Sequence, residues 1–156
     1  MRRKAKIKHT TSPDPIYESV LVERFTNRIM YDGKKSTARK VMYDAFEILK
    51  QKTKTDDPLK VLDLAIRNAS PVLEVRSRRV GGATYQVPRE VRPERKMALA
   101  MRWIIDAARS KKGKAMAEKL SEEILAASRG EGSAIKKRDD THKMAEANRA
   151  FAHFAW

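Results

Sequence analysis

The sequence contains no cysteine. That excludes disulfides, thiolate metal sites and a cysteine nucleophile, and it agrees with a reducing compartment. No run of about 18 apolar residues occurs, which excludes a membrane-spanning helix. No apolar signal core follows the basic start MRRKAKIKH, so secretion is not expected. There is no internal repeat and no low-complexity tract. The signatures HExxH, GxSxG and GxxxxGK[ST] are all missing. The histidines, His9, His142 and His153, are too scattered in sequence to form a metal pair. The adjacent acids Asp56-Asp57 and Asp139-Asp140 point in different directions on a helix. No enzyme, metal or cofactor is expected. Aromatic residues make up only 6%, and acids are the scarcer charge, 20 against 35 Lys+Arg.

What remains is a net charge of +15 on 156 residues, of which 41% are hydrophobic. The length favours one domain and suffices for a core. The charge calls for a polyanionic partner. Nucleic acid leads, because Lys and Arg contacts to phosphate release counterions. An acidic membrane surface fits poorly, since the apolar faces described next are needed for a core. Charge alone does not separate DNA from RNA.

Residues 1–13 read as a flexible basic arm, with Arg2, Arg3, Lys4, Lys6 and Lys8 and little to bury. Residues 14–156 read as a helical domain. Ser19 caps a first helix with Leu21, Val22, Phe25 and Ile29 inward, and Gly33 stops it. Ala38, Val41, Met42, Ala45, Phe46 and Leu49 form the apolar face of a second. Asp57-Pro58 starts a third, with Leu62, Ala65 and Ile66 inward, and Pro71 closes it. Pro93 starts a fourth, running to about Arg109, with Ala100, Trp103, Ile104, Ala107 and Ala108 on one side. A fifth carries Met116, Leu120, Ile124 and Ala127, with Glu118, Glu122 and Glu123 on a face turned away from any polyanion. The last, from about Ser133, sets Met144, Ala147, Phe151 and Phe154 in register.

Between the third and fourth helices, at about 72–90, the helical period is lost and Gly81-Gly82 signals a two-residue hairpin. This turn sets Arg78 opposite Tyr85, Arg76 opposite Val87 and Glu74 opposite Arg89 on one face. The other face pairs Arg79 with Thr84, Ser77 with Gln86 and Val75 with Pro88. Only the base of the ribbon is apolar, and a lone ribbon is marginal in water. It is therefore expected to project and dock on something else. The fold class is mainly α: six helices and a projecting two-stranded arm.

Basic clusters recur at 1–8, 76–79, 109–114 and 136–138, and one cationic surface assembled from them is the economical reading. Arg95, Arg102 and Arg109 stand seven residues apart on the side of the fourth helix away from its apolar stripe, with only Asp106 as a local partner. Arg109, Lys111, Lys112 and Lys114 form a basic link, where Gly113 breaks the helix. Tyr85, between arginines on an exposed ribbon, is a candidate for stacking on an unpaired base. Other contacts should go to phosphate, which the guanidinium fork grips in two places. A nucleoid-type DNA binder satisfies the same composition, although no helix-turn-helix, zinc finger or basic zipper is seen.

Four blocks carry a resemblance. They are Glu74 to Arg95 (EVRSRRVGGATYQVPREVRPER), Asp32 to Ser36 (DGKKS), Leu99 to Trp103 (LAMRW) and Lys136 to His153 (KKRDDTHKMAEANRAFAH). In order from about Asp14 to Trp156, the chain resembles bacterial small-subunit ribosomal protein seven. The resemblance implies a helical domain with a hairpin arm and primary binding to the 3′ major domain of 16S rRNA, nucleating the subunit head. It implies a place near the exit-site tRNA and the mRNA path. Small-subunit ribosomal protein eleven is implied as a neighbour, and head proteins nine, thirteen and nineteen as later ones. It implies a cytoplasmic ribosome, bacterial or of bacterial type in an organelle. The rRNA-facing positions it implies are Lys34, Lys35, Arg76, Arg78, Arg79, Arg95, Arg102, Lys136, Lys137 and Arg149. To these the charge reading adds the arm and Arg92, Lys96, Arg109, Lys111, Lys112 and Lys114. The tRNA and mRNA side falls to the tip: Arg78, Arg79, Val80, Gly81, Gly82, Ala83 and Tyr85. The chain departs from the family in ending Phe154-Ala155-Trp156, where an arginine usually precedes the tryptophan, and in Arg67, where an acid is common.

Overall fold

The computed structural model describes residues 11–53 and 57–154. In chain order these form α1 (Val20–Ile29), α2 (Lys35–Thr53), α3 (Pro58–Ala69), β1 (Leu73–Val80), β2 (Ala83–Glu90), α4 (Pro93–Ser110), α5 (Met116–Ser128) and α6 (Ser133–Ala147). A 3-10 helix, Arg149–Phe154, follows. The architecture is mainly helical with a two-stranded hairpin between α3 and α4, as the sequence predicts. Compact packing divides the chain within α2, into residues 1–40 and 41–156.

In the first unit, Asp14 is buried, and its Oδ2 accepts the backbone N–H groups of Ile16 and Tyr17, both at 3.1 Å. α1 follows Ser19, whose carbonyl accepts the Glu23 N–H at 3.2 Å; its side chain makes no cap bond. Val22, Phe25 and Ile29 are buried as expected. α1 ends at Ile29, ahead of Gly33, which instead takes φ +73° in the turn that leads into α2.

In the second unit, α3 begins where the Asp57 carboxylate accepts the Leu59 N–H at 3.1 Å and Pro58 occupies the first turn. It packs on α5 and α4, and α4 packs on α5 and α6. The core includes Leu62, Ala65 and Ile66 of α3, Ala100, Met101, Ile104, Ile105 and Ala108 of α4, and Leu120, Ile124 and Ala127 of α5. The buried face of α4 is wider than its spacing predicts: Met101 and Ile105 join it, while Trp103 is half-buried. The end of the chain differs from expectation. The α-helix stops at Ala147, Met144 is exposed, and α6 buries Ala134, Ile135, Thr141 and Ala145 instead. Phe151 and Phe154 sit on the 3-10 helix, whose tighter winding aims them elsewhere.

The hairpin ladder has the expected register, Glu74 opposite Arg89 through Arg79 opposite Thr84. Gly81 and Gly82 both take positive φ, +57° and +88°, which a two-residue turn matched to strand twist requires. Val91 N–H donates to the Val72 carbonyl at 3.0 Å and extends the pairing. β1 packs on α6 and β2 on the 3-10 helix. Val87 and Pro88 are buried, and Gly81 to Thr84 at the tip are exposed. The stem is therefore docked on its own chain, and the tip is exposed.

Candidate nucleic-acid interface

Alternation along the strands puts Glu74, Arg76 and Arg78 of β1 on the same face as Tyr85, Val87 and Arg89 of β2. The turn after β2 brings α4 back beside this face. Glu74, with only 11% of its side chain exposed, receives two guanidiniums there: Arg76 Nε at 2.8 Å and Arg95 Nε at 2.7 Å. Burial pushes the Glu74 carboxyl up, but the hydrogen bonds and charges of Arg95 and Arg76 outweigh it and hold the pKa below the ordinary value. A groove of about 350 Å³ opens around this cluster, lined by Glu74, Arg76, Arg89, Glu90, Arg92 and Arg95. A second, of about 270 Å³, continues along the strands past Arg76, Ser77, Arg78, Val87 and Arg89 to Phe154.

Five arginines distant in sequence thus line adjoining grooves. Arg89 was not among the expected contact residues, although its place opposite Glu74 already put it on the face of Arg76. Counting cations on both strands of that face finds it. Arg95 is not the unpartnered cation its helix position suggests, because its partner lies across the hairpin. Arg102 is exposed, and neither it nor Arg92 has an ion pair among the described residues. Lys96 and Arg109 are half-buried, and Arg79 is exposed on the opposite face of the ribbon.

Tyr85 is not an open stacking platform. Its ring lies 5.2 Å from Phe151 and 5.3 Å from Phe154, and Arg78 donates to the Phe154 carbonyl at 2.7 Å. Nor does the acidic side of α5 simply turn outward. Glu123 is buried, accepts the Ala134 N–H at 3.0 Å and pairs with Lys111 at 2.9 Å. Glu122 pairs with Lys114; that contact raises the lysine pKa and lowers the glutamate's. Two of the three link lysines are thus held by α5, and Lys112 is exposed. Arg138 turns inward to the Asn68 carbonyl and to Asp139, whereas Lys136 and Lys137 are exposed. Arg149 pairs with Glu146 at 3.5 Å. In the first unit Lys34 is exposed, and Lys35 pairs with the buried Glu23. Lys34, Lys35, Lys112, Lys136, Lys137 and Arg149 line neither groove. Arg2, Arg3, Lys4, Lys6 and Lys8 lie outside the described residues.

The site is an arginine-lined ribbon on a helical body, with no catalytic role assigned to any of its side chains. Residues 1–149 match the family of ribosomal protein S7p/S5e, and the chain belongs to that family of structural, non-enzymatic ribosomal proteins. It is similar to small ribosomal subunit protein uS7 of Thermotoga petrophila, 59% identical over 99% of both chains. The protein of that name from Fervidobacterium nodosum is 60% identical over the full length of both, and that of Salinibacter ruber 56% over 98% of both. No described helix is long and apolar enough to cross a membrane.

Proposed function

We propose that this chain is a structural constituent of the small ribosomal subunit in the cytoplasm and a primary binder of 16S rRNA. In this reading it nucleates the 3′ major domain, the subunit head. The observation that carries the reading is the convergence of Arg76, Arg89, Arg92 and Arg95 on one groove. Guanidiniums so clustered suit a folded phosphate backbone better than a base edge. Exposed aromatics are few among the described residues, which supports the same division, with shape and phosphate read in preference to sequence. Arg102, Lys112, Lys136 and Lys137, all exposed, would extend the contact, and the basic arm would add to it by charge.

The tip, Val80 to Ala83 with Arg79, would face the exit-site tRNA and the mRNA path, beside small-subunit ribosomal protein eleven. Head proteins nine, thirteen and nineteen would join later. Free ends of ribbons suit such a place because they reach beyond the body without needing a core of their own.

Binding to a transcript of the 3′ major domain, compared with duplex DNA and an unrelated structured RNA across a salt series, tests the reading. Tight binding to that transcript alone, persisting at about 0.15–0.3 M salt, is expected. Equal affinities that collapse together as salt rises would leave only the +15 charge as the binder and overturn it.

A further inference from the structure

Glu74 is an anomaly in a surface meant for a polyanion. It is a carboxylate, mostly buried, in the lining of a groove that it shares with Arg76, Arg89, Arg92 and Arg95. Simple charge counting says that it opposes phosphate binding and that its loss should tighten the complex. Its contacts argue the reverse. Oε1 accepts from Arg76 Nε at 2.8 Å and from Arg95 Nε at 2.9 Å, and Oε2 lies 2.7 Å from Arg95 Nε. Both guanidiniums are held through the inner nitrogen, so these bonds engage neither of the terminal nitrogens that grip phosphate in a fork. Both side chains remain about half exposed, 50% for Arg76 and 48% for Arg95, so the free ends reach solvent. Arg89 and Arg92 close the groove, leaving four guanidiniums against Glu74 and Glu90.

We infer that Glu74 is a positioning residue that fixes Arg76 and Arg95 as the two walls of a seat for one internucleotide phosphate of RNA. Arginine side chains have many rotamers, and ordering them at the moment of binding costs affinity. A carboxylate that orders two of them beforehand returns more than its own repulsion removes, because it neutralises part of the charge while leaving the gripping atoms free. The inference rests on the rRNA-binding reading above and adds to it which residues act as one unit.

The test uses the full chain and the 3′ major-domain transcript, at a temperature where circular dichroism shows every variant folded. Glu74→Gln keeps the shape and removes the charge. It should weaken binding roughly fivefold, the scale of one ordinary net hydrogen bond, although it makes the protein more cationic. In a background carrying Arg76→Ala and Arg95→Ala the same change should cost nothing or tighten binding. Glu74→Gln binding as tightly as the parent, or tighter, overturns the inference. So does an undiminished fivefold loss in the double background, which would mean that Glu74 acts through the fold. If the parent chain itself shows no preference for the transcript, the rRNA reading fails first, and that outcome is distinct from both.

Discussion

Tyr85 packs its ring 5.3 Å from that of Phe154, while Arg78, its partner across the ladder, donates to the Phe154 carbonyl. One rung of the hairpin is thus clasped by the end of the chain at two points. The clasp holds the docked part of the ribbon, and the exposed tip begins beyond it.

Removing one ring should therefore loosen the stem locally. Phe151→Ala deletes the second ring against Tyr85, at 5.2 Å, and should cost about 1 kcal/mol. Amide hydrogen exchange should show protection falling severalfold in β2 and unchanged in α4. Equal loss in both would mean that the aromatic contact supports the whole unit.

Arg102 and Arg95 should differ although both stand on α4. Arg102 has no ion pair among the described residues, so Arg102→Ala should leave the melting temperature unchanged. It should lower the salt slope of rRNA binding by roughly one unit for each phosphate that is no longer neutralised. Arg95→Ala should lower the slope similarly and also release Glu74, with a small drop in thermal stability. Salt titrations with thermal melts check both.

Glu123 should be a structural residue despite its charge. It is 1% exposed and holds both the Ala134 N–H and Lys111. Glu123→Ala strands a buried donor and an ammonium, a loss of about 2–4 kcal/mol. That corresponds to a fall of several degrees in melting temperature. Gly132→Ala should damage the same corner, because φ is +97° and an added methyl would stand 2.9 Å from Glu123 Oε1. A melting scan that leaves either variant at the parent's temperature would contradict this.

Acid should unlock the Glu74 cluster. Its carboxyl pKa is lowered in the folded chain, so its contribution to stability is complete above the unfolded value of 4.5 and is lost as pH falls through the folded value. The difference in melting temperature between the parent and Glu74→Gln should thus be full at about pH 6–7 and close progressively below 4.5. A difference that grew on acidification would reverse the sign of the argument.

Local physics made much of this protein legible in the sequence. Apolar spacing gave the first five helices, Asp57-Pro58 and Pro93 gave two of their starts, and Gly81-Gly82 fixed the hairpin register, because a two-residue turn leaves one pairing. The charge excess and the lack of catalytic signatures point to a nucleic-acid binder from the sequence itself. The resemblance in the hairpin and at the start of α4 narrowed the family.

Which cations are free and which are held was decided only in the tertiary structure. Arg95 meets Glu74 from 21 positions away, and Arg78 meets Phe154 from 76. Lys111 and Lys114 are taken up by Glu123 and Glu122 across a helix start. Tyr85 looks exposed along its strand and is covered by rings from the end of the chain. Periodicity reports which side of an element a residue occupies, through covalent geometry that repeats along the chain. It does not report what faces that side, which depends on how elements far apart in sequence pack together.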